Sequence, residues 1–228
     1  MAKRVLMVLT SHDDLGVSGK KTGNWFDEVA TPYYTFKGRG IEVVMASPEG
    51  GAAPIDPFSY DDAFTTDNTR RFENDPAALR ALADTAKLSE ISYHDFDGAF
   101  FPGGYGQLWD LASDSLAITM IEEMIEAETP VAMVCHAPAI LRDAKKPNGE
   151  PLVKGKVVTG FTDAEDTELD LSQHLLFSLE QTLIANGANF KRSNANWNPN
   201  VVEDGALITG QNPASAAPIA EVLANRLS

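Results

Sequence analysis

Short apolar runs alternate along this chain with longer segments of helical periodicity. Val5 to Leu9 is continuously apolar, the pattern of a strand buried on both faces. Ile41 to Ala46, Ala99 to Phe101 and Val131 to Val134 repeat it, with Val157 to Thr159 and Leu207 to Thr209 as weaker candidates. Helical segments lie between them. One is predicted from about Trp25 to Lys37, ended by Gly38 and Gly40. Asp75 and Pro76 form an N-cap and a first-turn proline for a helix running to about Thr85. Between Ser115 and Ala127, the residues Leu116, Met120, Ile121, Met124 and Ile125 share one helical face. Leu175 to Ala185 and Ala214 to Leu227 have the same character. Strands alternating with helices of this length predict βαβ units and a parallel sheet within one α/β domain over 1–228. The polar, turn-rich stretch Glu49 to Asn74 is expected to be a surface insertion over that sheet.

Composition narrows the partners. Of the 228 residues, 43% are hydrophobic, enough for a substantial core. The net charge of -15 repels nucleic acid and the anionic face of a membrane, so neither is expected as a partner. The apolar run Val5 to Leu9 is too short for a signal-peptide core or a membrane span, which makes the cytoplasm the expected compartment. No HxxxH or HxH spacing occurs, and no GxGxxG follows the first strand. Neither a metal nor a nicotinamide or flavin cofactor is therefore expected.

Four segments carry candidate chemistry, and each follows the carboxyl end of a predicted strand, where open α/β sheets place their sites. The first is Val131-Ala-Met-Val-Cys-His-Ala-Pro138, which holds the single cysteine of the chain. Cys135 ends a buried strand, and Ala137 and Pro138 begin the next helix. On such a turn a nucleophile projects above the sheet, and a helix N-terminus favours thiolate over thiol. His136 could flank the sulfur, although neighbours on an extended segment point to opposite faces. The second segment, Phe100-Phe-Pro-Gly-Gly-Tyr-Gly106, offers Gly103 and Gly104, whose N–H groups could hold an oxyanion. The third is Glu28, near the start of a helix that Pro32 should distort by depriving the Glu28 carbonyl of its partner. It serves either the helix dipole or proton transfer. In the fourth, Thr159-Gly-Phe-Thr-Asp-Ala-Glu-Asp-Thr167, either Glu165 or Asp166 could orient His136.

Together these pieces resemble the PfpI superfamily, flavodoxin-like relatives of the class I glutamine amidotransferases, and within it the heat-shock-type glyoxalase III branch. The resemblance runs from Arg4 to about Ala217. It is carried by Val8-Leu-Thr-Ser11, Lys21-Thr-Gly23, Glu28 with Pro32 and Phe36, and Phe101-Pro-Gly-Gly104. Val134-Cys-His-Ala-Pro-Ala139, Gly155-Lys156, Thr159-Gly-Phe-Thr162 and Thr209-Gly-Gln-Asn-Pro-Ala-Ser215 complete it. It implies a three-layer sandwich with a mostly parallel central sheet and helices on both faces. It also implies a cofactor-free conversion of methylglyoxal or glyoxal to a 2-hydroxy acid, and a stress-response homodimer. Cys135 would be the nucleophile, His136 its dyad partner, and Glu28 the acid that bonds the sulfur and handles protons. Counting from Gly160, the acid that orients histidine falls on Asp166, with Glu165 the alternative. Ala137 stands where the branch often has glycine. A holding chaperone, a cysteine redox sensor and a cysteine peptidase or amidase are the competing expectations. Glutamine amidotransfer is set apart by the want of a C-terminal histidine with an acid two residues on.

Overall fold

The computed structural model describes residues 2–228. In chain order its elements are β1 (Arg4–Val8), α1 (Phe26–Gly38), β2 (Glu42–Ser47), α2 (Asp67–Glu73), α3 (Pro76–Ala83) and β3 (Ala86–Lys87). Then come β4 (Gly98–Phe101), α4 (Ser115–Glu126), β5 (Val131–Val134), β6 (Val157–Val158), α5 (Asp163–Glu168) and α6 (Leu179–Ala185). The chain closes with β7 (Asn189–Phe190), β8 (Val201–Asp204), β9 (Leu207–Gly210) and α7 (Ala216–Leu227). Seven strands form one sheet in the order β3–β2–β1–β4–β5–β9–β8. Every neighbouring pair is parallel except β8 with β9.

The apolar runs form the interior strands as expected. Leu6, Met7, Phe100, Phe101, Ala132, Met133 and Ile208 are fully buried. A parallel strand covered on both faces needs such unbroken hydrophobicity. Helices cover the two faces, with α1 packed against α7 on one of them, and the whole is a flavodoxin-like sandwich. The chain runs from β1 outward to β2 and then returns to the other side of β1 as β4. That reversal opens a crevice at the carboxyl ends of β1 and β4.

Several local expectations are corrected. Val157 and Val158 form β6, but β6 pairs with β7 in a separate two-stranded sheet and does not extend the central one. β8 was not anticipated, since Glu203 and Asp204 interrupt its apolar character. It is a hairpin edge joined to β9 through Gly205, whose φ of 64° suits a tight turn. α1 passes through Pro32 without a break. Within residues 49–74, Thr66 caps α2 in a reciprocal box with Thr69, and Asp56 caps a short 3₁₀ turn over Pro57–Tyr60. α6 starts at Leu179, four residues later than the periodicity suggests, where the Ser178 side chain accepts a bond from the Gln181 N–H.

Candidate active site

Cys135 follows the last residue of β5 with φ at 62°, in the left-handed region. An L-residue pays roughly 1–2 kcal/mol for that conformation. Two backbone bonds hold it: the Cys135 N–H donates to the Gly210 carbonyl at 3.0 Å, and the Cys135 carbonyl accepts from the Phe161 N–H at 2.9 Å. The reversal turns the thiol off the sheet edge and into a cavity. It also lets adjacent side chains meet. His136 Nδ1 lies 3.4 Å from Cys135 Sγ, and its Nε2 lies 3.2 Å from Asp166 Oδ1. The buried imidazole is packed between the rings of Tyr105 and Phe161, with centroids 4.3 Å and 4.5 Å away. The Tyr105 hydroxyl donates to the same Asp166 oxygen at 3.0 Å.

The segment after Cys135 is a six-residue 3₁₀ turn, Ala137–Arg142, where an α-helix was expected. No long helix dipole therefore ends at the sulfur. The N–H groups of Gly104 and His136 point at it directly, and both favour its anionic form. Against them, burial pushes the Cys135 thiol upward, and negative charge on Glu28 pushes the same way.

Glu28, on the first turn of α1, is fully buried. Its Oε2 accepts the Gly103 N–H at 2.7 Å. Its Oε1 has no hydrogen-bond partner among the described residues, and the carboxyl faces the Cys135 thiol. Burial pushes this carboxyl up to about 8, against the opposing pull of the Gly103 N–H and of Cys135. Burial thus favours the protonated carboxyl, the form that adds no second negative charge beside the sulfur.

The two glycines divide their work differently from expectation. The Gly103 N–H is committed to Glu28, so only Gly104 of the pair faces the sulfur, and His136 supplies the second amide. Both glycines are sterically required. A Cβ at Gly103 would lie 2.4 Å from Cys135 Cβ, and one at Gly104 would lie 2.1 Å from the Gly23 carbonyl oxygen.

Of the two candidate third acids, Asp166 reaches histidine and Glu165 does not. Glu165 Oε2 accepts from the Thr162 N–H and hydroxyl. Its Oε1 accepts from Trp197 N, Gln211 Nε2 and Asn212 Nδ2 at 3.0, 3.1 and 2.8 Å. Successive residues of α5 thus serve the histidine and the far wall. Among the described residues, no group of three or more His, Cys, Asp or Glu side chains is placed to hold a metal ion. No helix among them is long and apolar enough to cross a membrane.

The family model that describes the DJ-1/PfpI family matches residues 26–225. The chain belongs to the DJ-1/PfpI family. A glutathione-independent glyoxalase of Saccharomyces cerevisiae is 33% identical over 221 residues, covering 94% of this chain and 93% of that protein. The crystal structure of glyoxalase III from Candida albicans superposes with a TM-score of 0.90 at 30% identity, covering 99% of this chain and 98% of that one. The Rapid Encystment Protein 24 kDa of Francisella tularensis superposes with a TM-score of 0.94 at 31% identity, covering 99% of each chain.

In this DJ-1/PfpI chain the cysteine opens into a cavity of about 490 Å³. Trp25, Phe58, Phe64, Phe161 and Trp197 supply most of its wall, with Tyr105, Leu169 and Pro213 between them. Sequence reasoning did not find this wall. Phe58 and Phe64 belong to the 49–74 stretch and pack on Trp25 and on each other, with centroids 5.0–6.2 Å apart. Two phenylalanines inside a polar stretch were the available signal.

Proposed function

We propose that this chain is a glutathione-independent glyoxalase, converting methylglyoxal or glyoxal and water to lactate or glycolate without a cofactor. One observation carries the proposal: the buried thiol is flanked by the His136–Asp166 pair on one side and by the fully buried carboxyl of Glu28 on the other. Glyoxalase relatives at 30–33% identity over nearly the full length support the same chemistry.

Cys135 adds as thiolate to the aldehyde carbon. The C–S bond forms, and the carbonyl π electrons move to oxygen, which the Gly104 and His136 amides flanking the sulfur would stabilise. Nδ1 and Nε2 of His136 face sulfur and Asp166 respectively, so an imidazolium there balances the thiolate and gives its proton to the new oxyanion. Glu28 gives its proton to the ketone oxygen and, as the carboxylate so formed, takes the hydrogen from the first carbon, leaving an enediol; it then returns that hydrogen to the second carbon and recovers a proton from the first oxygen. The aldehyde carbon is oxidised to a thioester and the ketone carbon is reduced to an alcohol, so no external oxidant is consumed. Water cleaves the thioester, releasing the hydroxy acid and the sulfur.

The test is incubation of the purified chain with methylglyoxal in the absence of glutathione, scoring lactate by enantiomer. Wild type should yield one enantiomer in excess, and Cys135→Ser should yield none above background, because a hydroxyl is a far weaker nucleophile at neutral pH. Lactate from the serine variant at near wild-type rate would overturn covalent catalysis at Cys135.

A further inference from the structure

We propose that the preferred substrate is a 2-oxoaldehyde whose ketone carbon bears a large uncharged apolar group, aryl or extended alkyl, in place of the methyl of methylglyoxal. This presupposes the glyoxalase chemistry above and specifies its substrate.

Size comes first. A dry apolar cavity of about 150 Å³ is enough to bind benzene. The cavity above Cys135 is about 490 Å³, and methylglyoxal has fewer heavy atoms than benzene. Filled by methylglyoxal alone, most of the apolar wall would stay in contact with water, and no burial would favour binding.

The distribution of polarity orients a larger guest. Cys135 and Gly104 line the cavity, and Glu28, His136 and the Gly104 amide gather about the sulfur, where the two reacting carbons must sit. Around them the wall is aromatic. Trp25 and Phe64 meet at 72°, Phe58 and Phe64 at 65°, and Phe161 and Trp197 at 67°. Rings standing edge to face present the surroundings that an additional aromatic or alkyl group prefers. Phe58 and Trp197 are still 49% and 37% exposed, so a substituent reaching them removes apolar surface from water.

Trp197 is also held in place. Its φ is 65°, unusual for a bulky side chain. The Trp197 N–H donates to the buried Glu165 at 3.0 Å, and its indole N–H donates to Glu168 at 2.5 Å. Charge excludes the remaining alternative, an anionic substituent. No Lys or Arg among the described residues lines the cavity, and Glu168 does. The adjoining cleft carries Lys20 and Lys21, but Lys21 is paired with Asp13 and Asp14.

The experiment compares kcat/KM for phenylglyoxal and methylglyoxal without glutathione, using wild type, Trp197→Ala and Phe64→Ala. Phenylglyoxal should be favoured at least about tenfold, the scale on which a filled hydrophobic pocket discriminates. Each variant should lower that ratio several-fold. An independent readout that needs no variant is product inhibition of methylglyoxal turnover, in which mandelate should bind at least about tenfold better than lactate. Equal or better use of methylglyoxal by wild type, or a ratio unmoved in two folded variants, would overturn the preference and leave the glyoxalase assignment standing. Turnover of neither aldehyde would overturn both.

Discussion

Glu28 and Cys135 have to be understood as a pair. Both are buried and both are pushed toward their neutral forms; charge on Glu28 raises the thiol, while the hydrogen bond from Cys135 pulls the carboxyl down. The site therefore tolerates one negative charge there more readily than two. Glu28→Gln keeps the shape, can still accept the Gly103 N–H and can donate to sulfur, but it carries no proton between carbons. It should lose at least about 100-fold in turnover, the scale of general acid–base catalysis, as steady-state kinetics would show. Wild-type turnover in that variant would leave Glu28 a structural acid. The pH dependence has a defined sign. A carboxyl raised from 4.5 to about 8 binds more protons folded than unfolded across that window, so stability falls as pH rises through it. Chemical denaturation should find wild type losing ground to Glu28→Gln by several kcal/mol between pH 4.5 and 8, at about 1.4 kcal/mol per pKa unit. On the alkaline side of about 8, ionised Glu28 faces the sulfur, and kcat/KM should decline. Cys135 and His136 were legible in the sequence because a buried strand, a turn and a proline bracket them. The duty of Gly103 was not, since its partner Glu28 lies 75 residues away and is brought to it only by folding.

At the scale of elements, α5 does two jobs within six residues. Thr162 and Glu165 close a capping box, which fixes the first turn, and that turn aims Asp166 at histidine and Glu165 at the 193–212 segment. The two acids should separate on mutation. Asp166→Asn can still accept from Tyr105 but loses the charge facing His136, so turnover should drop by about 10- to 100-fold with little change in melting temperature. Glu165→Gln weakens a buried charged acceptor that holds three donors beyond its own helix, and should cost about 1–3 kcal/mol of stability by thermal unfolding. If Asp166→Asn were the unstable one and Glu165→Gln the inactive one, their assigned duties would be reversed. From sequence alone the two acids could not be told apart, because the choice depends on which direction a helical turn faces. β5 was readable because the unbroken apolar run Val131-Ala-Met-Val134 leaves a buried parallel strand few alternatives. The pairing of β6 was not, since two valines specify a strand but not its neighbour.

The sheet order assembles the whole site from distant pieces. Glu28 comes from the helix after β1, Gly104 from the turn after β4, Cys135 and His136 from the turn after β5, and Asp166 from the segment beyond β6. Alternating strand and helix periodicity was enough to anticipate that architecture. The cavity roof escaped, because Phe58, Phe64 and Trp197 belong to no periodic element and converge only through tertiary packing. The cavity that they enclose has no basic residue in its wall among the described residues and belongs to a chain of net charge -15. A 2-oxoaldehyde is neutral on arrival, whereas the hydroxy acid is born as an anion in a cavity whose wall carries Glu168. The field is indifferent to what comes in and expels what goes out, which gives the cycle a direction that no contact with the aldehyde supplies. Salt weakens that expulsion. Raising ionic strength from about a tenth of physiological to physiological should lower the inhibition constant for lactate several-fold while leaving the KM for methylglyoxal nearly fixed.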